Sequence, residues 1–211
     1  SSRRAHIVHV LPAILLSGIV TILAMMPLLG ATYSHDAIVA GLVAGTFGTA
    51  GFFLVYLALA MGPMVVASAI VAVLAAAIPY FVSVLRGQQL TTIGVAGAAL
   101  ALVSILLVTR SSEDAKHPAS RKMIVTAVLG GFAVAGFFLG LALAPSDSGL
   151  APLSITRLVQ LAVIGSIAVV RRRSFRGDSP DYRMAIGAGV CDVFAAVAFI
   201  YAAHAGNLGV V

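Results

Sequence analysis

The apolar residues of this chain run in long unbroken blocks, and the polar ones fall in the short gaps between them. Seven blocks approach the ~20 residues that a helix needs to cross the ~30 Å hydrocarbon core of a bilayer, where every backbone group must find its hydrogen bond within the segment. They are Ile7–Leu29, Ala37–Ala60, Met64–Leu85, Thr91–Thr109, Lys122–Ala144, Leu150–Val170 and Met184–Ala205. Strands of a transmembrane barrel would alternate apolar and polar residues over about ten positions. The runs here are continuous and rich in Ala, Gly, Leu and Val, so the expected fold is an all-α membrane protein with seven transmembrane helices visible.

Composition agrees with that pattern. The chain is 61% hydrophobic and 9% charged, with a mean hydropathy of +1.10, whereas a soluble domain carries roughly a quarter charged residues. Its net charge of +6 does not point to nucleic acid, because the basic residues sit in short loops at helix ends and form no basic face. Eleven of the 13 fall on one side of the predicted membrane: Arg3, Arg4, Arg110, Lys116, Arg121, Lys122, Arg171, Arg172, Arg173, Arg176 and Arg183. Arg86 lies on the other side, with Arg157 buried near it. Cytoplasmic loops collect Lys and Arg, so the chain is expected to begin inside, end outside, and sit as a multi-pass protein in the plasma (inner) membrane. The first block is followed by others of its kind, which is not the pattern of a secretory signal. The lone Cys191 cannot form an internal disulfide and reads as a small packing residue.

Two pairs of spans resemble one another. Ala44–Val66 (AGTFGTAGFFLVYLALAMGPMVV) lies over Ala188–Val211 (AGVCDVFAAVAFIYAAHAGNLGVV) at an offset of 144, pairing Gly45 with Gly189 and Gly62 with Gly206. The first and sixth spans align at an offset of 147, pairing Leu11 with Leu158 and Gly18 with Gly165. Copies five crossings apart face opposite ways, the inverted-repeat arrangement of many secondary transporters. A shorter match, AGFFL at Ala50–Leu54 and Ala135–Leu139, does not extend into the flanking spans and reads as coincidence. A five-helix unit implies a ten-helix bundle of two inverted repeats, over residues 1–110 and 122–211, joined by a polar linker at 111–121. The partner of the fifth span would then precede Ser1, and those of the third and fourth would follow Val211.

The stretch Leu54–Arg110 carries an LAL..GP turn (Leu57–Pro63), a small-residue helix, and a Gly87-Gln88 pair before a Gly- and Leu-rich span. Ser148–Arg173 and Gly189–Gly206 repeat parts of it. These residues resemble the EamA-type members of the drug/metabolite transporter superfamily, over almost the whole chain. The resemblance implies a secondary transporter of small metabolites or drugs, an exporter driven by an ion gradient, without cofactor and with a small-molecule solute and the lipid bilayer as its partners. The sequence departs from the family where Gly87-Gln88 replaces a Gly-Glu pair, where Pro79 lies closer than usual to Gly87, and in the orientation that its charges assign.

An ionisable side chain within the bilayer costs roughly 2.5–3.5 kcal/mol on insertion scales, so intramembrane charges are candidates for function. Asp192, in the seventh span, and Arg157, in the sixth, qualify, and at their depths the two side chains are within reach of each other. The resemblance favours a functional Asp192, because the family often has an acid at that position, and an acid within the bilayer is expected to belong to the central polar pathway and to help couple solute movement to protons. Gln160, Tyr56, Ser68 and Tyr201 join them as candidates for the substrate or coupling pathway. Ser83, Thr46, Thr49 and Tyr80 can also hydrogen-bond, either to a solute or between helices. The GxxxG spacings Gly41–Gly45 and Gly136–Gly140 read as close helix packing, and Pro12, Pro27 and Pro79 as kinks or helix breaks. His9 and His204 have no metal-binding partner at helical spacing, so no metal is expected. Neither a GxxxxGK[ST] loop nor a facing Ser–His or paired-Asp arrangement is present, so no enzyme is expected. The competing readings are a non-transporting membrane subunit and a seven-helix receptor. A retinal-binding receptor needs a Lys in its last helix, and the only lysines are Lys116 and Lys122.

Overall fold

The computed structural model describes residues 2–85, 100, 103, 120–170 and 182–205. Among them are six helices: α1 (Ser2–Leu29), α2 (His35–Met61), α3 (Met64–Leu85), α4 (Arg121–Ala142), α5 (Ala151–Val170) and α6 (Tyr182–Ala205). The predicted span Thr91–Thr109 lies outside the described residues except for Leu100 and Val103. Helix starts follow from the sequence where a serine precedes the apolar run. Ser34 accepts the Ala37 amide at 3.2 Å and Ser120 accepts the Met123 amide at 3.2 Å, satisfying donors that a helix N-terminus leaves open. Pro79 sits inside α3 without ending it.

Three of the helices, over His35–Met61, Met64–Val82 and Arg121–Ala142, are long and apolar enough to cross a membrane. Shorter apolar stretches occupy Ile14–Leu29, Ala151–Ser166 and Ile186–Tyr201. Each helix turns large apolar side chains outward, including Val20, Leu57, Phe81, Leu129, Leu158 and Phe194. That surface is compatible with lipid around it.

Small residues set the packing. On α2, a Cβ added at Gly41 would meet the Ile155 Cβ at 2.6 Å, and one at Gly45 would meet the Val159 Cβ at 2.7 Å, so α2 and α5 run parallel in close contact. Across from them, Gly140 faces Ala44, Gly136 faces Phe47 and Gly130 faces Val55, so α4 is antiparallel to α2. Both GxxxG spacings are therefore helix contacts. Gly62 meets Met123 and Gly131 meets Leu74, which makes α3 parallel to α4 and puts Leu85 and Ser120 at opposite ends of the bundle. Helix α6 runs parallel to α1, with Gly189 against Ile14 and Ser17, and Gly18 against Val193.

The α1–α2 and α4–α5 turns meet at one end. Gly30 and Gly149 adopt φ of 70° and 56°, a left-handed conformation that costs a residue with a Cβ about 1–2 kcal/mol. This lets the Thr32 amide donate to Ser148 O at 3.1 Å and the Leu150 amide to Gly30 O at 3.0 Å.

The packing gives a direct test. A Cβ on Gly140 would lie 2.8 Å from the Ala44 nitrogen and 2.9 Å from its Cα, backbone atoms that cannot rotate away. Gly140→Val is expected to force α2 and α4 apart and to cost about 1–3 kcal/mol, read as a lowered melting temperature in detergent. Gly165→Val, with nothing within 4 Å of the added carbon, is the matched control and is expected to melt with the parent.

Candidate functional site

Arg157 and Gln160 are three residues apart on α5 and so share one face of the helix. Arg157 Nη1 donates to Gln160 Oε1 at 2.9 Å, and Nη2 forms an ion pair with Asp192 Oδ2 on α6. The pair is asymmetric: the Arg157 side chain is 3% exposed and that of Asp192 41%. Glycines make room for the arrangement. A Cβ at Gly18 on α1 would touch Val193 at 3.4 Å and Arg157 Nε at 3.6 Å, so the guanidinium passes close against α1 on its way to α6. A Cβ at Gly48 on α2 would lie 2.9 Å from Gln160 Nε2 and 3.0 Å from the Phe137 ring. The buried Arg157 Nε has no hydrogen-bond partner.

These three polar residues close one part of a cavity of about 310 Å³, the size of a small-solute site. Its remaining wall is mainly apolar, with Phe52 and the phenol of Tyr56 from α2, Val71 from α3, and Val134, Phe137 and Phe138 from α4. Phe52 and Tyr56 stack with ring centres 6.2 Å apart and planes 10° from parallel. Phe137 and Phe138 meet edge to face at 5.1 Å. Polar side chains of fixed orientation in an otherwise aromatic chamber allow selective binding of a molecule with one polar end and an apolar body.

No family model, curated protein or solved structure matches this chain. The likeness to EamA-type transporters therefore rests on the residues quoted above.

Four of the six candidates from the sequence, Asp192, Arg157, Gln160 and Tyr56, line this one cavity. The other two stand apart from it. Ser68 is exposed on α3 and donates to its own helix at Val65 O, 3.1 Å away, while Tyr201 is exposed on α6. Thr46 and Thr49 donate to Leu42 O at 2.8 Å and Gly45 O at 2.7 Å, so their hydroxyls are spent on their own helix. Tyr80 lies on α3 outside the cavity lining. The side chains of Ser83, His9 and His204 lie outside the described residues. Among the described residues no group of three or more His, Cys, Asp or Glu side chains could hold a metal. Cys191, expected as a packing residue, is exposed: it precedes Asp192 on α6 and points away from the neighbouring helices.

The aromatic wall is not among the candidates that residue type singles out, although the sequence carries a signal for it. Phe52, Phe137 and Phe138 all come from the two AGFFL segments. These lie on the antiparallel helices α2 and α4, which bring Gly51 against Val134 and Gly48 against Phe137. The match that stops at the segment ends is a shared contribution to one chamber.

Proposed function

We propose that this chain belongs to a secondary transporter that exports small solutes across the plasma membrane, with an ion gradient as its energy source. The observation that carries the reading is the charged pair Arg157–Asp192, set between helices with its acid open to a solute-sized cavity. A pair that served only packing has no need of a chamber beside it, and a charge inside a bilayer costs roughly 2.5–3.5 kcal/mol on insertion scales.

The helix directions support inverted halves. Helix α1 lies parallel along α6 and α2 parallel along α5. A half-turn about an axis in the membrane plane that exchanges α1 with α5 and α2 with α6 turns one contact into the other, in line with the offsets of 144 and 147. The reading extends to seven spans within a ten-helix bundle, crossing the membrane with the Arg-rich ends in the cytoplasm.

Orientation is open to measurement. With Cys191 replaced by Ser, Asp147→Cys in the α4–α5 turn is expected to react with a membrane-impermeant maleimide on intact cells, and Ser112→Cys only after permeabilisation. Labelling of Ser112→Cys from outside reverses the assignment.

Transport itself is tested by comparing metabolites in the medium of cells that overexpress the full-length gene with those lacking it. Solutes enriched in the medium are then offered to the purified protein in proteoliposomes under an imposed ion gradient. Export of at least one small solute by both measures is expected. A protein that moves none is a receptor or a non-transporting subunit.

A further inference from the structure

We propose that the cavity binds an organic cation, an amine on an apolar or aromatic body, whose ammonium takes Asp192 from Arg157. The inference deepens the transport reading by naming the class of solute, and it rests on that reading for its biological sense. Its first support is the asymmetry of the ion pair. Both charged groups line the cavity, but the carboxylate side chain is 41% exposed and the guanidinium side chain only 3%. An anion would have to reach Arg157 past the acid that already holds it. A cation meets Asp192 directly.

The wall makes the same selection. Phe52, Tyr56, Phe137 and Phe138 contribute aromatic rings to the lining, and ring faces carry the negative end of the quadrupole, which attracts ammonium groups and disfavours carboxylates. The chamber is otherwise apolar, which suits a hydrocarbon or aromatic body attached to the charge. When Asp192 turns to the ligand, Arg157 keeps its bond to Gln160 Oε1 but gives up its counter-ion, a cost that the ligand's own ion pair with Asp192 must offset. Arg157 thus acts as an internal competitor that occupies the acid in the empty site.

The test uses three probes that share a phenylalkyl body and differ in head group: 2-phenylethylammonium, 2-phenylethanol and 3-phenylpropionate. Their binding to the full-length protein in detergent is measured by calorimetry. The cation is expected to bind tightest, by about tenfold or more over either other probe. Phe52→Leu is expected to weaken the cation roughly fivefold while leaving the alcohol nearly unchanged. Arg157→Gln, which removes the competitor, is expected to tighten the cation. Tightest binding of the propionate, equal binding of all three, or binding of none overturns the proposal, and this comparison needs only the unaltered protein. Failure of the two readings is distinguishable: a cation that binds but is not moved in proteoliposomes supports the site and refutes transport, whereas flux of other solutes without cation binding refutes the site alone.

Discussion

On the proposed transport reading, Asp192→Asn is expected to lower the initial gradient-driven rate in proteoliposomes by at least about thirtyfold, since truncating one partner of a hydrogen-bonded charge pair whose other member is buried costs about 2–5 kcal/mol. The reason is chemical scarcity. Of the seven acidic residues, Asp192 alone lies within a predicted span, so no other carboxylate there can carry a proton or balance a cation. Asparagine keeps the size and one acceptor oxygen but has neither a proton to release nor a negative charge. Rates are compared with and without an imposed pH gradient, on protein shown to be folded by gel filtration. Asp192→Glu, which restores the acid one methylene further out, is expected to recover part of the gradient-dependent rate. Unchanged gradient-driven uptake in Asp192→Asn removes the residue from coupling and leaves it a structural partner of Arg157.

Much of the helical architecture is legible in the chain because the bilayer imposes a length and a composition that soluble folds do not share. Residues Met64–Leu85 are assigned to a helix by both sequence and structure, and the other described helices differ from their predicted spans mainly at the ends. Helix α1 starts at Ser2, before the expected Ile7, because hydropathy marks only apolar residues and Arg3 and Arg4 are helical without being apolar. The ion pair is legible for a related reason: charges within apolar runs are rare enough to be conspicuous, and helical rise places Asp192 and Arg157 at compatible depths.

Rotation of each helix about its axis is not legible. A segment such as Gly130–Gly140 is apolar all round, so no polar face tells which side turns inward. Ser68, Tyr201 and Cys191 were placed by type and depth, and their exposure reflects that missing angle. Hydroxyls within helices carry a second ambiguity, because Ser and Thr can bond a carbonyl of their own helix three or four residues back, as Thr46, Thr49 and Ser68 do. The aromatic wall depends on which helices are neighbours. Hydropathy does not encode that, but the pairing of two AGFFL segments across an antiparallel contact does.

Removing the two members of the ion pair is expected to have unequal costs, decided by the partner left behind. Asp192→Asn leaves a guanidinium that is 3% exposed without its counter-ion, and an uncompensated buried charge costs about 3–5 kcal/mol. Arg157→Met keeps the apolar stem and leaves Asp192, whose side chain is 41% exposed and lines the cavity, where it can be hydrated. Its cost is mainly the lost bond to Gln160, about 1–3 kcal/mol. Combining the two removes both charges together, so the double variant is expected to fall short of the summed losses by about 2–3 kcal/mol, near the upper end for directly contacting residues. Unfolding in mixed micelles of the parent, both single variants and the double variant measures all three quantities. Equal single costs, or additive ones, mean that Arg157 is solvated by something other than Asp192 and that the pair does not hold α5 to α6.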